Sequence, residues 1–524
     1  MISQQYKCFL FSMLLVMVGL SSCSQRLNTD QQLAGRIKIT ERRPVHPVLK
    51  RNAINPLISI MVEVPEAAGE TSFKSIRAAV SKETLQDVQR LEIYGSNEKQ
   101  ELDSRNLISA ISLSSQNFQM ELPLKLKPGQ HLFWISAGLK ENADPDHHLT
   151  IKLLNVLDET NKSHQISNPQ FRDSRIGIAL RKPNDDDVNS YRIPGIVTTD
   201  QETLISVYDA RYKNSADLPG NIDVGMSRSK DGGKTWEAMK VIMDMGAPHE
   251  NNGVGDPSVL FDPITKKIWV AALWSKGNRS IAGSRPGLSE EETGQFAVTS
   301  SSDDGLTWTK PYSITAQVKN PLWRLFFPGP GNGIAMADGK LVFPAQYWDE
   351  KKMPHSTLIY SDDHGQSWKA GLGAKSNTTE SQLVETRPGT IMLNMRDNRG
   401  KFRSVATTTD MGQSWSSHPT TEHTLADPVC MGSLIKAKVK VKGVMKDVLF
   451  FSNPNSSSER KDLTIKASLD LGETWMDANQ LLVDERGSFG YSALTKIDDH
   501  TLGILYEGIR DLYFVRIPVK DIIK

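Results

Sequence analysis

Arg192 stands at the entrance of a strand-like run, in Asn189-Ser-Tyr-Arg-Ile-Pro-Gly195, where a proline and a β-branched residue stiffen the backbone. An arginine held in such a place is a clamp for an anion, because its planar fork stays charged and bonds a carboxylate through two N–H groups. Downstream, the pattern Ser/Thr-x-Asp-x-Gly-x-x-Trp occurs five times, at Ser229–Trp236, Ser301–Trp308, Ser361–Trp368, Thr408–Trp415 and Ser468–Trp475, far too often for chance. Its chemistry is that of a turn. The aspartate can bond nearby backbone N–H groups, the glycine permits positive φ, and the tryptophan packs beneath. Asp231, Asp303, Asp363, Asp410 and Asp470 are therefore read as structural. No His-Glu-x-x-His and no His/Cys/Glu cluster at metal-ligand spacing occurs, so the sequence predicts no metal centre. Pro328-Gly-Pro-Gly-Asn-Gly333 is not a phosphate loop, since no Lys-Ser/Thr follows.

The elements that position these residues follow from the repeat. Its copies recur about every 45–70 residues from Arg172 onward, which suits the blades of a β-propeller. Residues 172–524 divided by that period predict a six-bladed β-propeller, with five blades marked by the repeat and a sixth without it. Residues 34–166 lack the repeat. They alternate in short apolar runs such as Leu57–Val64, Leu91–Tyr94, Met120–Leu126, Leu132–Ile135 and Leu149–Leu154, the pattern of an N-terminal β-sandwich domain. Polar residues 161–170 read as a linker. The predicted fold class is all-β.

A chain of 524 residues exceeds one core and implies at least two domains. Lys+Arg 62 balances Asp+Glu 61, which gives no case for a nucleic-acid partner. Lysines at positions 436, 438, 440 and 442 alternate like the solvated face of a strand. The three cysteines, Cys8, Cys23 and Cys430, exclude a disulfide framework, and Cys430 is expected to be a buried small apolar residue. The apolar run Phe9–Leu20 has signal-peptide length and ends in Leu20-Ser-Ser-Cys23, which resembles a bacterial lipoprotein box. That resemblance implies a leader over residues 1–23, lipidation of Cys23 and a tether over residues 24–33. The protein would then reside in the cell envelope, periplasmic or on the cell surface, with the membrane engaged only through the lipid. Ser24-Gln-Arg26 carries no acidic residue, which leans the expectation toward the periplasm.

Together the Tyr-Arg-Ile-Pro motif and the five Asp boxes resemble the bacterial exo-α-sialidases, and the resemblance is specific over the propeller. It implies hydrolysis of terminal sialic acids from glycoproteins, glycolipids or oligosaccharides, with retention, without a metal or organic cofactor. Sialidases clamp the substrate carboxylate with three arginines. Arg192 matches the first, Arg396 in Leu393-Asn-Met-Arg-Asp-Asn398 the second, and Arg460 in Ser458-Glu-Arg-Lys461 the third, with Lys461 and Arg403 as competing choices. Glu507 in Leu505-Tyr-Glu-Gly508 resembles the glutamate that braces the first arginine. Sialidases differ from most retaining glycosidases in using a tyrosine nucleophile. A neutral phenol avoids the repulsion a carboxylate would meet at a carbon that already bears one. Tyr491 in Phe489-Gly-Tyr-Ser492 matches it, and Glu380 in Asn377-Thr-Thr-Glu-Ser381 resembles its base, Glu385 being the alternative. Asp217 matches the acid/base aspartate, Arg211 an additional substrate arginine, and Asp256 in Gly253-Val-Gly-Asp-Pro257 the aspartate facing the N-acetyl and C4 side of the sugar. Asp209 and Asp223 read as structural. Trp274 is either an apolar wall or a core residue, and the glycine-rich segment at 328–333 either lines the glycerol side chain or is a plain turn. The N-terminal domain is a carbohydrate-binding module or a spacer. Trans-sialidases and intramolecular trans-sialidases share these residues. A catalytically silent Asp-box propeller would be signalled by loss of Tyr491, Asp217 or one of the three arginines, and all are present.

Overall fold

The computed structural model describes residues 36–524 except 168, 170 and 171. The leader, Cys23 and the tether lie outside the described residues. Two compact units form, one from residues up to Pro44 with Asn52–Ala143 and His147–Ser174, the other from Val45–Arg51, Asp144–Asp146 and Arg175–Lys524.

In the first unit, nine strands join in one sheet in the order Leu102–Ser112, Val88–Ser96, Gly129–Leu139, Pro56–Val64, Lys38–Arg42, Ser163–Ser167, Ile151–Asp158, Thr71–Val80 and Asn117–Leu126. Ser109 Oγ on one edge strand donates to Glu121 O on the other at 2.7 Å, so the edges meet and the domain is barrel-like rather than two separate sheets. Alternation decides which residues fill it: Ile58, Ile60, Val62 and Val64 point one way and are buried.

The second unit is the six-bladed propeller. Its blades are the sheets spanning Ser190–Met243, Val254–Ser313, Leu325–Ala370, Thr378–Ser417, Ser433–Asp484 and Ser492–Pro518. The sixth blade is completed by Ser174–Arg181, which pairs antiparallel with Leu512–Pro518. Val48–Lys50, placed by sequence in the first domain, pairs in parallel with Ser174–Arg181 and belongs to the second unit. This closure explains why five boxes serve six blades. Each box joins the third strand of a blade to the fourth, as Ser229–Trp236 joins Ile222–Ser229 to Lys240–Met243. In the sixth blade the fourth strand comes from the other end of the chain, so no such hairpin exists.

The boxes are built as their chemistry predicts. Asp231 accepts from Ser229 Oγ at 2.8 Å, Thr235 N at 2.9 Å and Thr235 Oγ1 at 2.6 Å, while Gly233 N donates to Ser229 Oγ at 2.8 Å. The same set recurs around Asp303, Asp363, Asp410 and Asp470. Donors from Thr307 hold Asp303 down at about 2. The box tryptophans also tie blades together, Trp236 meeting Phe514 edge-on at 5.0 Å and Trp368 meeting Trp269 at 5.9 Å. Asp304, the fourth residue of its box, reaches back to the first blade, accepting from Thr199, Thr203 and Arg228. The alternating lysines lie on the strand Ser433–Val441, with Lys436, Lys438 and Lys440 exposed and Ala437, Val439 and Val441 buried.

Candidate active site

Three of the strands nearest the propeller axis, Ser190–Thr198, Val254–Phe261 and Thr378–Arg387, carry a bulge near their first residues. The pairing register slips between Arg192 and Gly195, between Gly255 and Ser258, and between Thr378 and Ser381. At the first two slips Ile193 and Asp256 take left-handed φ of 59° and 57°, and Asn377, just before the third strand, takes 58°. Isoleucine there costs roughly 1–3 kcal/mol, so the surroundings must hold it. Bulges re-aim side chains at a rim, and here they send Arg192, Asp256 and Glu380 toward one end of the axis.

Glu507 does much of the holding. One oxygen accepts from Ile193 N at 2.9 Å and Arg192 Nε at 3.1 Å, and the other from Tyr491 N at 3.0 Å. Fully buried, it neutralises Arg192 and joins the first blade to the sixth. Burial disfavours the Arg192 charge, but Glu507 opposes this and leaves the guanidinium more strongly protonated than usual.

Tyr491 sits at the centre. Its hydroxyl donates to Glu380 Oε1, and Arg396 Nη1 donates to it at 3.0 Å and to Glu380 Oε2 at 2.5 Å. Burial and the Glu380 charge push the phenol well above its ordinary range, so it rests protonated beside a base. Arg396 Nε–H is buried with no protein acceptor, an open donor on a charged group. The Arg192 and Arg460 guanidinium carbons stand 5.4 Å and 5.8 Å from the Tyr491 ring.

Asp217 lies on the loop after Leu204–Arg211, its side chain 73% exposed, and accepts from Arg211 Nη1 at 2.8 Å and Arg192 Nη1 at 3.3 Å. Partial desolvation raises this carboxyl, but the charges of Arg211 and Arg192 outweigh it and hold the group below the usual aspartate range. Arg211, buried, is clamped by Asp209 at 2.8 Å and 3.1 Å. Asp209 also accepts from Asp256 N at 2.9 Å. Burial lifts Asp209 to about 6 despite Arg211. Asp256 is raised well above the ordinary range by burial and by the neighbouring Asp209 and Asp217.

A cavity of about 340 Å³ brings Asp217, Asp256, Glu380, Arg396 and Tyr491 together. Its other wall is apolar, made by Leu218, Leu273, Ile281, Phe327 and Trp348. A larger cavity, about 1040 Å³, opens at the opposite ends of the innermost strands, near Thr198, Lys436 and Lys496, and contains none of these groups. The chemistry therefore belongs to the smaller one.

Some expected residues fall elsewhere. Of the expected substrate arginines only Arg396 lines the cavity; Arg192 and Arg211 stand behind Asp217, which they bond, and the two Nη groups of Arg460 bond the carbonyls of Phe489 and Val429, both at 2.9 Å. Its rivals fare no better: Lys461 pairs with Glu459 at the surface, and Arg403 is buried on Asn394 and Cys430 O. Glu385 accepts from Ala337 N and Gly389 N at the far end of its strand, which leaves the position beside Tyr491 to Glu380. Trp274 bonds Asn252 and packs in the core between the first two blades, so it is no wall of the cavity. The glycine-rich segment does not line the cavity either. Gly331–Asn332 pairs with the second blade, and Asn332 bonds Ile196 and Leu494, because the innermost strand of the third blade is interrupted there. Cys430 is buried against Ile193, Met431 and Tyr491, and burial pushes its thiol up to about 12. Sequence reading missed Phe489, whose ring lies 4.1 Å from the Arg192 guanidinium carbon, and the bracing by Asp209. The signal for Asp209 was its spacing, since residues two apart on a strand share a face with Arg211.

Comparison with known proteins identifies the family. Residues 193–507 match the BNR repeat-like domain, and residues 35–162 match the N-terminal domain of BNR-repeat neuraminidase. The chain is 44% identical over 409 residues to a sialidase of Bacteroides fragilis, covering 76% of this chain and 75% of that one. It is 35% identical over 334 residues to a sialidase of Micromonospora viridifaciens, covering 61% and 50%. Among solved structures, the Hadza microbial sialidase Hz136 superposes with a TM-score of 0.86 at 37% identity, covering 92% of this chain and all of that one.

Proposed function

Because the chain belongs to the BNR-repeat sialidases and is an exo-α-sialidase, a glycoside hydrolase acting on sialylated glycans, we propose that it works with retention through a covalent sialyl-tyrosine at Tyr491. One observation carries this reading: the Tyr491 hydroxyl is held between Glu380 and Arg396 at the floor of an arginine-bearing cavity. Full ionisation of a phenol at pH 7 costs about 4 kcal/mol at its reference pKa of about 10, and more here. The proton therefore passes to Glu380 as the phenol oxygen attacks the anomeric carbon. The bond to the leaving oxygen breaks, and Asp217 supplies the proton that oxygen takes. In the second half Asp217 removes a proton from water, the water oxygen bonds the anomeric carbon, and Tyr491 departs, recovering its proton from Glu380.

The substrate carboxylate is assigned to Arg192 and Arg396, with the open Arg396 Nε–H among its donors. Arg460 is assigned the far side of Tyr491, turning toward the anion when it gives up a backbone carbonyl. Resting Asp217 shares Arg192 and Arg211. A bound carboxylate competes for Arg192, weakens that hold and raises Asp217 toward the protonated state the first step needs.

The test is labelling with 2,3-difluorosialic acid. Digestion and mass spectrometry should find the sugar on the peptide carrying Tyr491, and a label on any other residue, or turnover with no label, counts against the intermediate. We also place the protein on a membrane through a lipidated Cys23, on the strength of Leu20-Ser-Ser-Cys23. A Cys23→Ala chain should move from the membrane fraction to the soluble one, and unchanged partition would refute the anchor.

A further inference from the structure

We propose that the hairpin of residues 433–454, in the fifth blade, docks on an anionic membrane surface, a hold independent of any lipid at Cys23. Its strands are Ser433–Val441 and Val444–Pro454, paired antiparallel from Ser433 with Ser452 to Val441 with Val444. The first strand runs away from the catalytic cavity. Lys436 already lines the large cavity at the far end of the axis, together with Thr198 and Lys496. Further on, Lys440 N donates to Asp499 O at 2.7 Å, in the turn of the sixth blade, and the hairpin turn at Lys442 and Gly443 follows that bond.

One face of this extension is packed. Ala437, Val439 and Val441 join Val519, Ile522 and Ile523 in one apolar cluster. The rest is open: Lys436, Lys438, Lys440 and all of residues 442–447 are exposed. The hairpin holds five lysines, at 436, 438, 440, 442 and 446, against one aspartate, Asp447. Alternate residues of a strand stand about 7 Å apart, within the screening length of about 8 Å at physiological salt, so these charges act as one patch. The acids at this end do not cancel it. Asp499 is taken by Lys496 at 2.7 Å and Asp200 by Lys266 at 2.6 Å, while Glu202 and Asp498 belong to the mouth of the large cavity.

Charge alone would suit any polyanion, and the apex is what favours a membrane. Val444 is 59% exposed and Met445 39%, directly after the turn, with Lys442 before them and Lys446 after. An apolar tip enters the headgroup layer while the lysines beside it stay at the interface and meet lipid phosphates. A dissolved polyanion offers Val444 and Met445 nothing to bury against. Lys442 and Gly443 take φ of 48° and 87°, the tight two-residue turn that Asn-Gly ordinarily fills. Lysine holds the first place against that preference and sets a charge at the apex. A Cβ on Gly443 would meet nothing within 4 Å, so no other part of the fold crowds the turn. Docking by this hairpin turns the catalytic cavity, at the other ends of the innermost strands, away from the lipid and toward glycans beyond it.

Co-sedimentation with vesicles tests the docking, using the chain from Ser24 onward, which keeps every described residue and carries no lipid. The vesicles are phosphatidylcholine alone, or phosphatidylcholine with about 30% phosphatidylglycerol. Wild type should bind the anionic vesicles, and binding should fall by about tenfold or more in high salt. Changing Lys438, Lys440, Lys442 and Lys446 together to Gln should weaken partition by about a hundredfold or more. Val444→Ser with Met445→Ser should weaken it by about fivefold. All six side chains are exposed and remote from the cavity, so both variants should keep the wild-type thermal midpoint and the wild-type rate on an aryl sialoside. No binding by wild type, equal binding to neutral vesicles, or binding that the lysine variant retains would overturn the docking. Full retention by the Val444 and Met445 variant, with equal capture of both on heparin, would assign the patch to a dissolved polyanion and overturn the membrane as partner.

Discussion

Tyr491→Phe should cut release of 4-methylumbelliferone from its sialoside by about a thousandfold or more, equivalent to roughly 4 kcal/mol of transition-state stabilisation. The substitution removes one oxygen and keeps the ring. The packing of that ring against Ile193, Cys430 and Met431 therefore survives, and the fold should too. Glu380 keeps Arg396 as its partner at 2.5 Å, so no carboxylate is left buried alone. What disappears is the atom that attacks. An activated leaving group needs little help from Asp217, which makes this substrate a sensitive reporter of the nucleophile alone. Activity within tenfold of wild type would mean that water attacks directly, with Glu380 as its base. NMR of the first product formed would then show inversion of the anomer.

Glu507→Gln should damage both stability and catalysis, although Glu507 touches no substrate. Its two oxygens receive three donors, one from Arg192 and two from the backbone at Ile193 and Tyr491. An amide has only one acceptor oxygen, so at least one of those donors would face an NH₂ group. The buried Arg192 would also lose its strongest counter-charge. Breaking one side of a buried ion pair costs about 3–5 kcal/mol, and the left-handed Ile193 would lose the bond that holds it. The expected result is a lower thermal midpoint together with a kcat/KM reduced by about a hundredfold, since the first arginine and the nucleophile shift together. Glu385→Gln is the control. That carboxylate serves two backbone N–H groups at the far end of its strand, away from the site, and its loss should leave kinetics unchanged. Wild-type kinetics in the Glu507 variant would remove it from the positioning machinery.

What was legible in the sequence was whatever closes over a few residues. An Asp box is complete within eight positions, and its bonds run from Ser229 to Gly233 and from Asp231 to Thr235, so its residues declare a turn before any fold is known. Five such turns at a blade-like spacing fix the architecture, and the alternation of the lysines at 436, 438 and 440 fixes a strand. Arg192, Tyr491 and Glu380 could be singled out because each sits in a short motif at the start of an innermost strand.

The tertiary structure decided everything that depends on distance around the ring. Glu507 meets Arg192 across 315 positions and Tyr491 across 16, and no local pattern encodes that meeting. The absence of a sixth box follows from which end of the chain supplies the last strand, a property of ring closure. Trp274 and the segment at 328–333 have the composition of a binding wall and a binding loop, yet one packs into the core and the other bridges blades. Arg460 has the right neighbours in sequence, but its resting bonds go to Phe489 and Val429. The physical reason is common to all of these. Local chemistry selects the turn and the strand, whereas the chemistry of the site arises where strand ends and loops of several blades meet at one end of the axis, and only the packed fold sets which groups arrive there and which are spent on each other.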